Sequence, residues 1–340
     1  MPPTIRDIAQ RVGKSITTVS RALHDYEDVS LETKELVRKA AEEMGYSPNA
    51  QAQRLQKRHT DTLGLILPTF GPRFSDPFFS EFLAGVGNKA AQRGFDLLVS
   101  TRPPGEEELK AYRADIQGHR VDGFILVRMR CQDARVDYLR KAQFPFVAFG
   151  RVDGELDFPH VDEDGSFGMG LVVKYLASLG HRRIASITAP LDLTFTHHRM
   201  LGVRKEMVEL GLPEDESLVV SGDLTQRGGY QQASRLLDLA EPPTAIMAYN
   251  DLMAMGAMSA AQERGIVVGK ELSVTGFDDI PMSEHSHPPL TTVHQPVYQI
   301  GSMVCEMLIQ TLSGESPEPE QAILKPSLIV RQSCGPAQTP

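Results

Sequence analysis

The chain has 340 residues, 41% hydrophobic and 23% charged, and a net charge of −9. That length suits a small head plus a two-lobed core, and the composition is that of an ordinary globular protein. It has no run of about eighteen apolar residues, so no membrane span is expected, and the acidic total argues against nucleic acid as a partner for the chain as a whole.

Charge is unevenly spread. Residues 1–60 hold 10 Lys and Arg against 8 Asp and Glu, a balance of +2; residues 61–340 hold 25 against 36, a balance of −11. DNA would repel the acidic part, so any contact with it must come from the head. Cys131, Cys305 and Cys334 lie far apart with no CxxC spacing. Together with an N-terminus lacking an apolar h-region, they lead us to expect a reducing, cytoplasmic setting without a signal peptide.

In chain order, Thr4 is a good N-cap and Asp7 suits the first turn of a helix whose apolar face is Ile5, Ile8, Ala9 and Val12. Gly13 sits where the chain leaves that helix with positive φ. Ser15 can cap a second helix, in which Val19, Ala22 and Leu23 face the first and Ile16, Thr17, Ser20 and Arg21 point outward. Hydroxyls, one methyl-rich side chain and one Arg suit phosphate oxygens, thymine methyls and guanine edges in a major groove. A third helix is capped by Ser30, takes Leu31, Leu36, Val37, Ala40, Ala41 and Met44 as its core face, and ends at Gly45. A plain three-helix domain with no nucleic-acid role is the alternative reading of this pattern. Next, Ser47 and Pro48 open a short helix whose apolar candidates are Ala50, Ala52 and Leu55, followed by Lys57 and Arg58. It is too short to be stable alone, so it is either a segment ordered by binding or a solvated linker.

Three linked motifs, Thr4-Ile5-Arg6-Asp7-Ile8-Ala9, Thr18-Val19-Ser20-Arg21-Ala22-Leu23 and Gly45-Tyr46-Ser47-Pro48-Asn49-Ala50, resemble the head of the lactose/galactose repressor (LacI/GalR) family of bacterial transcription regulators. The resemblance implies that Ile16, Thr17 and Arg21 read bases, and that Ser15, Thr18, Ser30, Thr33, Tyr46 and Asn49 hold phosphates. It implies that Leu55 is a hinge wedge kinking the operator from the minor groove, and that Ala52 lets two hinge helices pack closely. Thr4, Ser20 and Lys57 complete the expected DNA-facing set. Lys14 departs from the small apolar residue that most members carry before the Ser.

From Leu63 the rhythm becomes strand, helix, strand, helix. Apolar runs at Leu63–Leu67, Phe95–Ser100, Gly123–Val127 and Phe146–Phe149 read as buried parallel strands, with helices near 79–93, 106–117 and 133–141. A second set has strands at Ile184–Thr188, Leu218–Val220, Ala245–Ala248 and Ser273–Phe277, and helices near 166–179, 197–210, 227–239 and 251–264. Two such sets predict two doubly wound lobes, with crossings near 160, 290 and 325. The fold expected is an all-α helix-turn-helix head (1–46), a hinge helix and linker (47–60) and an α/β core (61–340) of parallel sheets. Its lobe 1 is about 61–160 plus 291–324, and lobe 2 about 161–290 plus 325–335. The closing Cys334–Pro340 tail is expected to be disordered. The core resembles the periplasmic-binding-protein fold of the same family through Asp76-Pro77-Phe78-Phe79, Val121-Asp122-Gly123, Gly180-His181-Arg182-Arg183-Ile184-Ala185, Asn250-Asp251-Leu252-Met253-Ala254, Gly276-Phe277-Asp278-Asp279-Ile280 and Gln295-Pro296.

Arg199, Asn250 and Asp278 each follow an expected strand and could reach a cleft between the lobes; the resemblance makes them effector ligands. Asp251 and Asp279 read as caps. Leu224 stands where many members carry an aromatic platform, so a ring is sought at Phe78, Phe79 or Phe195. Gly150 replaces an acid found in some sugar-responsive members, which brings Arg151 into the candidate pocket; His160 is a further candidate to line it. The pairs at His197-His198 and His285/His287 lack zinc-ligand spacing, and neither a GxxxxGK[ST] loop nor a GxSxG elbow occurs. No metal, cofactor or enzymatic activity is expected.

The reading is a sequence-specific, DNA-binding repressor acting as a homodimer, since no C-terminal heptads suggest a tetramer. A small molecule, a sugar by family habit, would control it from the cleft. The alternatives are a purine-type regulator working through a corepressor and a transport-type solute-binding protein.

Overall fold

A computed structural model describes residues 3–23, 25–46, 59–69, 76–152, 154 and 158–338. They form two compact units divided after Thr60, each described by itself below.

In the first unit the N–H and the hydroxyl of Thr4 both donate to Asp7 Oδ2, at 2.7 Å each, and start helix α1 (Ile5–Val12). Gly13, at φ 66°, turns the chain. The Ser15 hydroxyl then accepts the Thr18 N–H at 3.0 Å and caps α2 (Ile16–Leu23). Ser30 does the same for α3 (Leu31–Glu43) through the Thr33 N–H. Ile8, Ala9, Val19, Ala22, Val37, Ala40 and Ala41 close one core. Two expected core residues are not in it: Leu31 is 77% and Leu36 48% exposed. The inner face of α3 runs through Lys34, Val37, Ala40 and Ala41, and Lys34 buries its stem there while pairing with Asp25 at 3.0 Å. The expected hinge helix lies almost wholly outside the described residues.

In the second unit the first lobe begins with β1 (Thr62–Pro68), α4 (Pro77–Gln92), β2 (Asp96–Arg102), α5 (Glu106–Gln117), β3 (Gly123–Leu126), α6 (Ala134–Lys141), β4 (Phe146–Phe149) and β5 (His160–Glu163). The chain crosses to the second lobe through α7 (Gly165–Ser178), β6 (Ile184–Thr188), α8 (Thr194–Glu209), β7 (Val219–Ser221), α9 (Gln226–Leu237), β8 (Ala245–Ala248), α10 (Asp251–Glu263), β9 (Ser273–Asp278), α11 (Pro281–His285) and β10 (Thr291–His294). It returns for α12 (Val297–Leu312) and β11 (Gln321–Leu324), then crosses once more to β12 (Ser327–Ile329). The described strands make two six-stranded sheets, ordered β11-β5-β4-β3-β1-β2 and β12-β10-β9-β8-β6-β7. Every pairing is parallel except β12 with β10.

The expected strands and helices fall within a few residues of these. Strands β5, β10, β11 and β12 and helix α12 were not anticipated, and their pairing shifts the crossings. Residues 160–163 belong to the first sheet and 291–294 to the second, where the sequence reading cut at 161 and 291. Helix α12 lies against α4 at close range: a Cβ on Gly85 would sit 2.1 Å from the Tyr298 carbonyl oxygen, and one on Gly301 2.4 Å from that of Phe82. The tail expected to be disordered is instead stitched to the second lobe as far as it is described. The Gly335 N–H donates to the Ser273 hydroxyl at 3.1 Å, and the Ala337 N–H reaches the Leu179 carbonyl at 2.8 Å.

Candidate functional site

Parallel strands end together, so the loops at their carboxyl ends form the walls of a cleft. Between the two lobes those loops enclose a cavity of about 70 Å³. Phe78, Arg151, Phe195, Arg199, Leu224, Asn250 and Asp278 all line it. His160 does not. It starts β5, at the end of the strand away from the cleft; its Nδ1 faces the Phe158 carbonyl at 3.1 Å, and burial lowers its pKa. Asp76, Arg128, Asp162, Glu163 and Gln295 line the cleft and were missed.

Arg199, in the first turns of α8, ties the lobes together. One amino group donates to the Tyr249 carbonyl; the other donates to Glu163 at 2.8 Å and lies 3.9 Å from Asp278. Its guanidinium lies 3.5 Å from the centre of the Phe277 ring and 4.7 Å from that of Phe195. Burial pushes the carboxyls of Glu163 and Asp278 up in pKa against the pull of Arg199. Asp278, at φ 117°, is held by Gln295, whose amide donates to it at 2.8 Å. Two buried atoms in this group have no partner: Arg199 Nε, a donor, and Gln295 Oε1, an acceptor. Arg151 donates to Asp162 at 2.6 Å and to His198 Nδ1, across the cleft, at 3.1 Å. Arg128 donates to Asp76 at 2.6 Å. The rings of Phe78 and Phe149 stack with centroids 5.8 Å apart and planes 15° apart.

Asn250, which lines the cavity, also takes the capping role expected of Asp251. Asn250 is the cap: its Oδ1 accepts the Met253 N–H at 2.9 Å and its Nδ2 donates to the Leu224 carbonyl at 3.0 Å. Asp251 caps nothing. It accepts the Ile280 N–H (2.9 Å) and the hydroxyls of Ser283 (2.6 Å) and Thr292 (2.5 Å), and so pins the loop after Asp278. Asp279, likewise expected as a cap, pairs with Arg331 at 2.7 Å and His294 at 3.0 Å. Burial raises the Asp251 pKa to about 7, well above that of an unfolded Asp. The native state therefore holds a proton that the unfolded chain has lost, and stability contributed below pH 4 drains away as pH rises toward 7, by at most about 1.4 kcal/mol per pH unit. Thermal melts of Asp251→Asn between pH 5 and 7.5 should show a flatter pH slope than wild type. An unchanged slope would assign the titration to another group.

Residues 4–49 match the model for bacterial regulatory proteins of the lacI family, and residues 173–334 match a periplasmic binding protein-like domain. The chain is 36% identical to the HTH-type transcriptional regulator AglR of Rhizobium meliloti (strain 1021), over 99% of this chain and 96% of that protein. This chain belongs to the lacI family of bacterial regulatory proteins. The complex of the transcriptional regulator CelR with cellobiose has a similar structure (33% identity, 97% of this chain and 99% of that one, TM-score 0.76). So has the lac repressor dimer bound to operator and the anti-inducer ONPF (29% identity, 98% and 99%, TM-score 0.85). The protein is a DNA-binding transcriptional regulator. Among the described residues no helix is long and apolar enough to cross a membrane.

In this lacI-family chain the DNA-reading candidates sit as follows. Ile16, Thr17 and Arg21 are exposed on α2, and Thr18 and Ser20 are half-buried beside them. Thr4, Ser15 and Ser30 are exposed at helix starts, and Thr33 and Tyr46 are half-buried. Asn49, Ala52, Leu55 and Lys57 lie outside the described residues.

Proposed function

We propose that this regulator represses transcription as a homodimer on a roughly palindromic operator, with one α2 in each half-site. In this reading Leu55 of each chain opens the central step, and a neutral, polyhydroxylated effector, a sugar, bound in the cleft sets operator affinity. One observation carries the effector class: each cleft guanidinium is already matched by a carboxylate. Arg128 pairs with Asp76, Arg151 with Asp162 and Arg199 with Glu163. A phosphate or carboxylate ligand would have to break such a pair and leave a buried acid uncompensated. The atoms without partners are one donor, Arg199 Nε, and one acceptor, Gln295 Oε1, and a hydroxyl satisfies both. The stacked Phe78 and Phe149 rings supply an apolar wall, the part that Leu224 cannot play. The cellobiose complex of CelR and the operator-bound lac repressor dimer support the same reading.

A panel of neutral mono- and disaccharides, sugar phosphates and purines, tested by thermal shift on the full chain, checks this. At a hundredfold excess over its dissociation constant the effector should stabilise the fold by about 2.7 kcal/mol and raise the melting temperature by several degrees. Neutral sugars should be the compounds that do so. A shift with sugar phosphates alone, or with purines alone, would overturn the class.

A further inference from the structure

Arg21, the one cation on the outward face of α2, does not project freely. Its guanidinium donates to Asp28 at 2.6 Å and lies 5.2 Å from the centre of the Tyr26 ring. Both partners belong to the turn after α2, and that turn is itself anchored. The Tyr26 N–H bonds to the Arg21 carbonyl at 3.1 Å and the Val29 N–H to the Tyr26 carbonyl at 3.2 Å. Asp25, at φ 58°, is gripped by Lys34 from α3 through both its carboxylate (3.0 Å) and its carbonyl (3.2 Å), and Arg38 reaches the same carboxylate at 3.1 Å. The chain of contacts thus runs from α3 through the turn to the tip of Arg21.

An acidic residue beside a DNA-reading arginine has an electrostatic disadvantage: phosphates repel it. Its compensating use is orientation. A guanidinium offers five N–H donors in a rigid fork. Asp28 occupies one and the Tyr26 ring takes a face, so the remaining edge is aimed while the long side chain loses its freedom in advance. Guanine, with O6 and N7 side by side, is the base that such a fixed fork reads.

We propose that Asp28 and Tyr26 are positioning residues that lock Arg21 for guanine recognition, so that this turn sets the operator's preference at one base pair. This rests on Arg21 being a base reader. The test uses the full-length protein and an operator duplex enriched from a random-sequence pool, with every single base-pair replacement and one unrelated duplex. Arg21→Ala should flatten preference at one base pair by roughly tenfold or more. Asp28→Asn should weaken preference at that same base pair about fivefold, with the melting temperature unchanged, while binding to unrelated DNA holds or tightens because a negative charge has gone. Tyr26→Leu should act in the same direction. Asp28→Asn added to Arg21→Ala should change nothing further at that position.

Full preference in Asp28→Asn, or an equal tightening on every duplex, would overturn positioning and leave Asp28 a mere repeller of DNA. An equal loss with and without Arg21 would show Asp28 acting through another group and overturn it too. If Arg21→Ala left every preference intact, the base-reader assignment itself would fall, and the proposal with it.

Discussion

Replacing Arg199 with alanine should give a protein that still binds its operator and responds to its effector only at roughly ten- to hundredfold higher concentration. The guanidinium joins Glu163 of the first sheet to the Tyr249 carbonyl and Asp278 of the second. Its Nε is buried without a partner, and the residue lines the cavity. Hydrogen bonds to charged groups contribute about 1.5–3 kcal/mol each, so effector affinity should fall by roughly one to two orders of magnitude. The variant should still fold. Glu163 and Asp278 already have pKa values raised by burial, so without their counter-ion they take up protons instead of remaining as buried charges. In the proposed function DNA binding belongs to residues 1–60, a separate compact unit, and should persist. Calorimetry with the effector found in the panel, and operator binding with and without it, measure both halves. An undiminished effector response would show that the cleft is not the control site.

Arg135→Met should produce the largest loss of stability in the molecule. Arg135 is completely buried. It donates to both oxygens of Asp133 (2.9 and 2.6 Å), to Glu108 (3.2 Å) and to the carbonyls of Val127 (3.0 Å) and Arg128 (3.1 Å). Arg130 pairs with the other oxygen of Glu108 at 2.9 Å. Removing one partner from such a network leaves buried charge uncompensated, at a cost of about 3–5 kcal/mol, or on the order of 10 °C in melting temperature. Residues 127–129 form part of the cleft wall, so effector binding should weaken with it. The double variant Arg135→Met with Asp133→Asn removes charge of both signs and should recover part of the loss. A variant as stable as wild type would mean that water reaches the site and screens it.

The head was legible because its signals are local. Caps at Thr4, Ser15 and Ser30, a glycine at the turn and apolar residues at helical spacing each act within a few residues of themselves. Leu31 and Leu36 were misplaced for the complementary reason: the inward stripe of α3 is the one whose Val37, Ala40 and Ala41 meet the other two helices, with Lys34 reaching back to Asp25. In the core, the strands that were found are apolar runs, whether inside a sheet, as β1, β3, β4, β6, β8 and β9 are, or at an edge, as β2 and β7 are. The one that mattered most for the cleft, His160–Glu163, was missed because it reads as polar. Its acids are buried only because Arg151 and Arg199 come to meet them.

The sequence by itself therefore determined the family, a helix-turn-helix head with a two-lobed α/β core and the order of the main elements, and it drew attention to seven residues that line the cavity. These follow from spacing, from propensity and from motifs a few residues long. Only the tertiary structure decided how charge is apportioned: which carboxylate matches which arginine, that Asn250 caps while Asp251 pins a loop, that His160 lies outside the cleft, and that Arg21 leans on Tyr26 and Asp28. Those pairings join groups on different elements, many of them far apart in the chain. Whether a buried charge is tolerated depends on what the fold places within about 3 Å of it, and no local pattern carries that information.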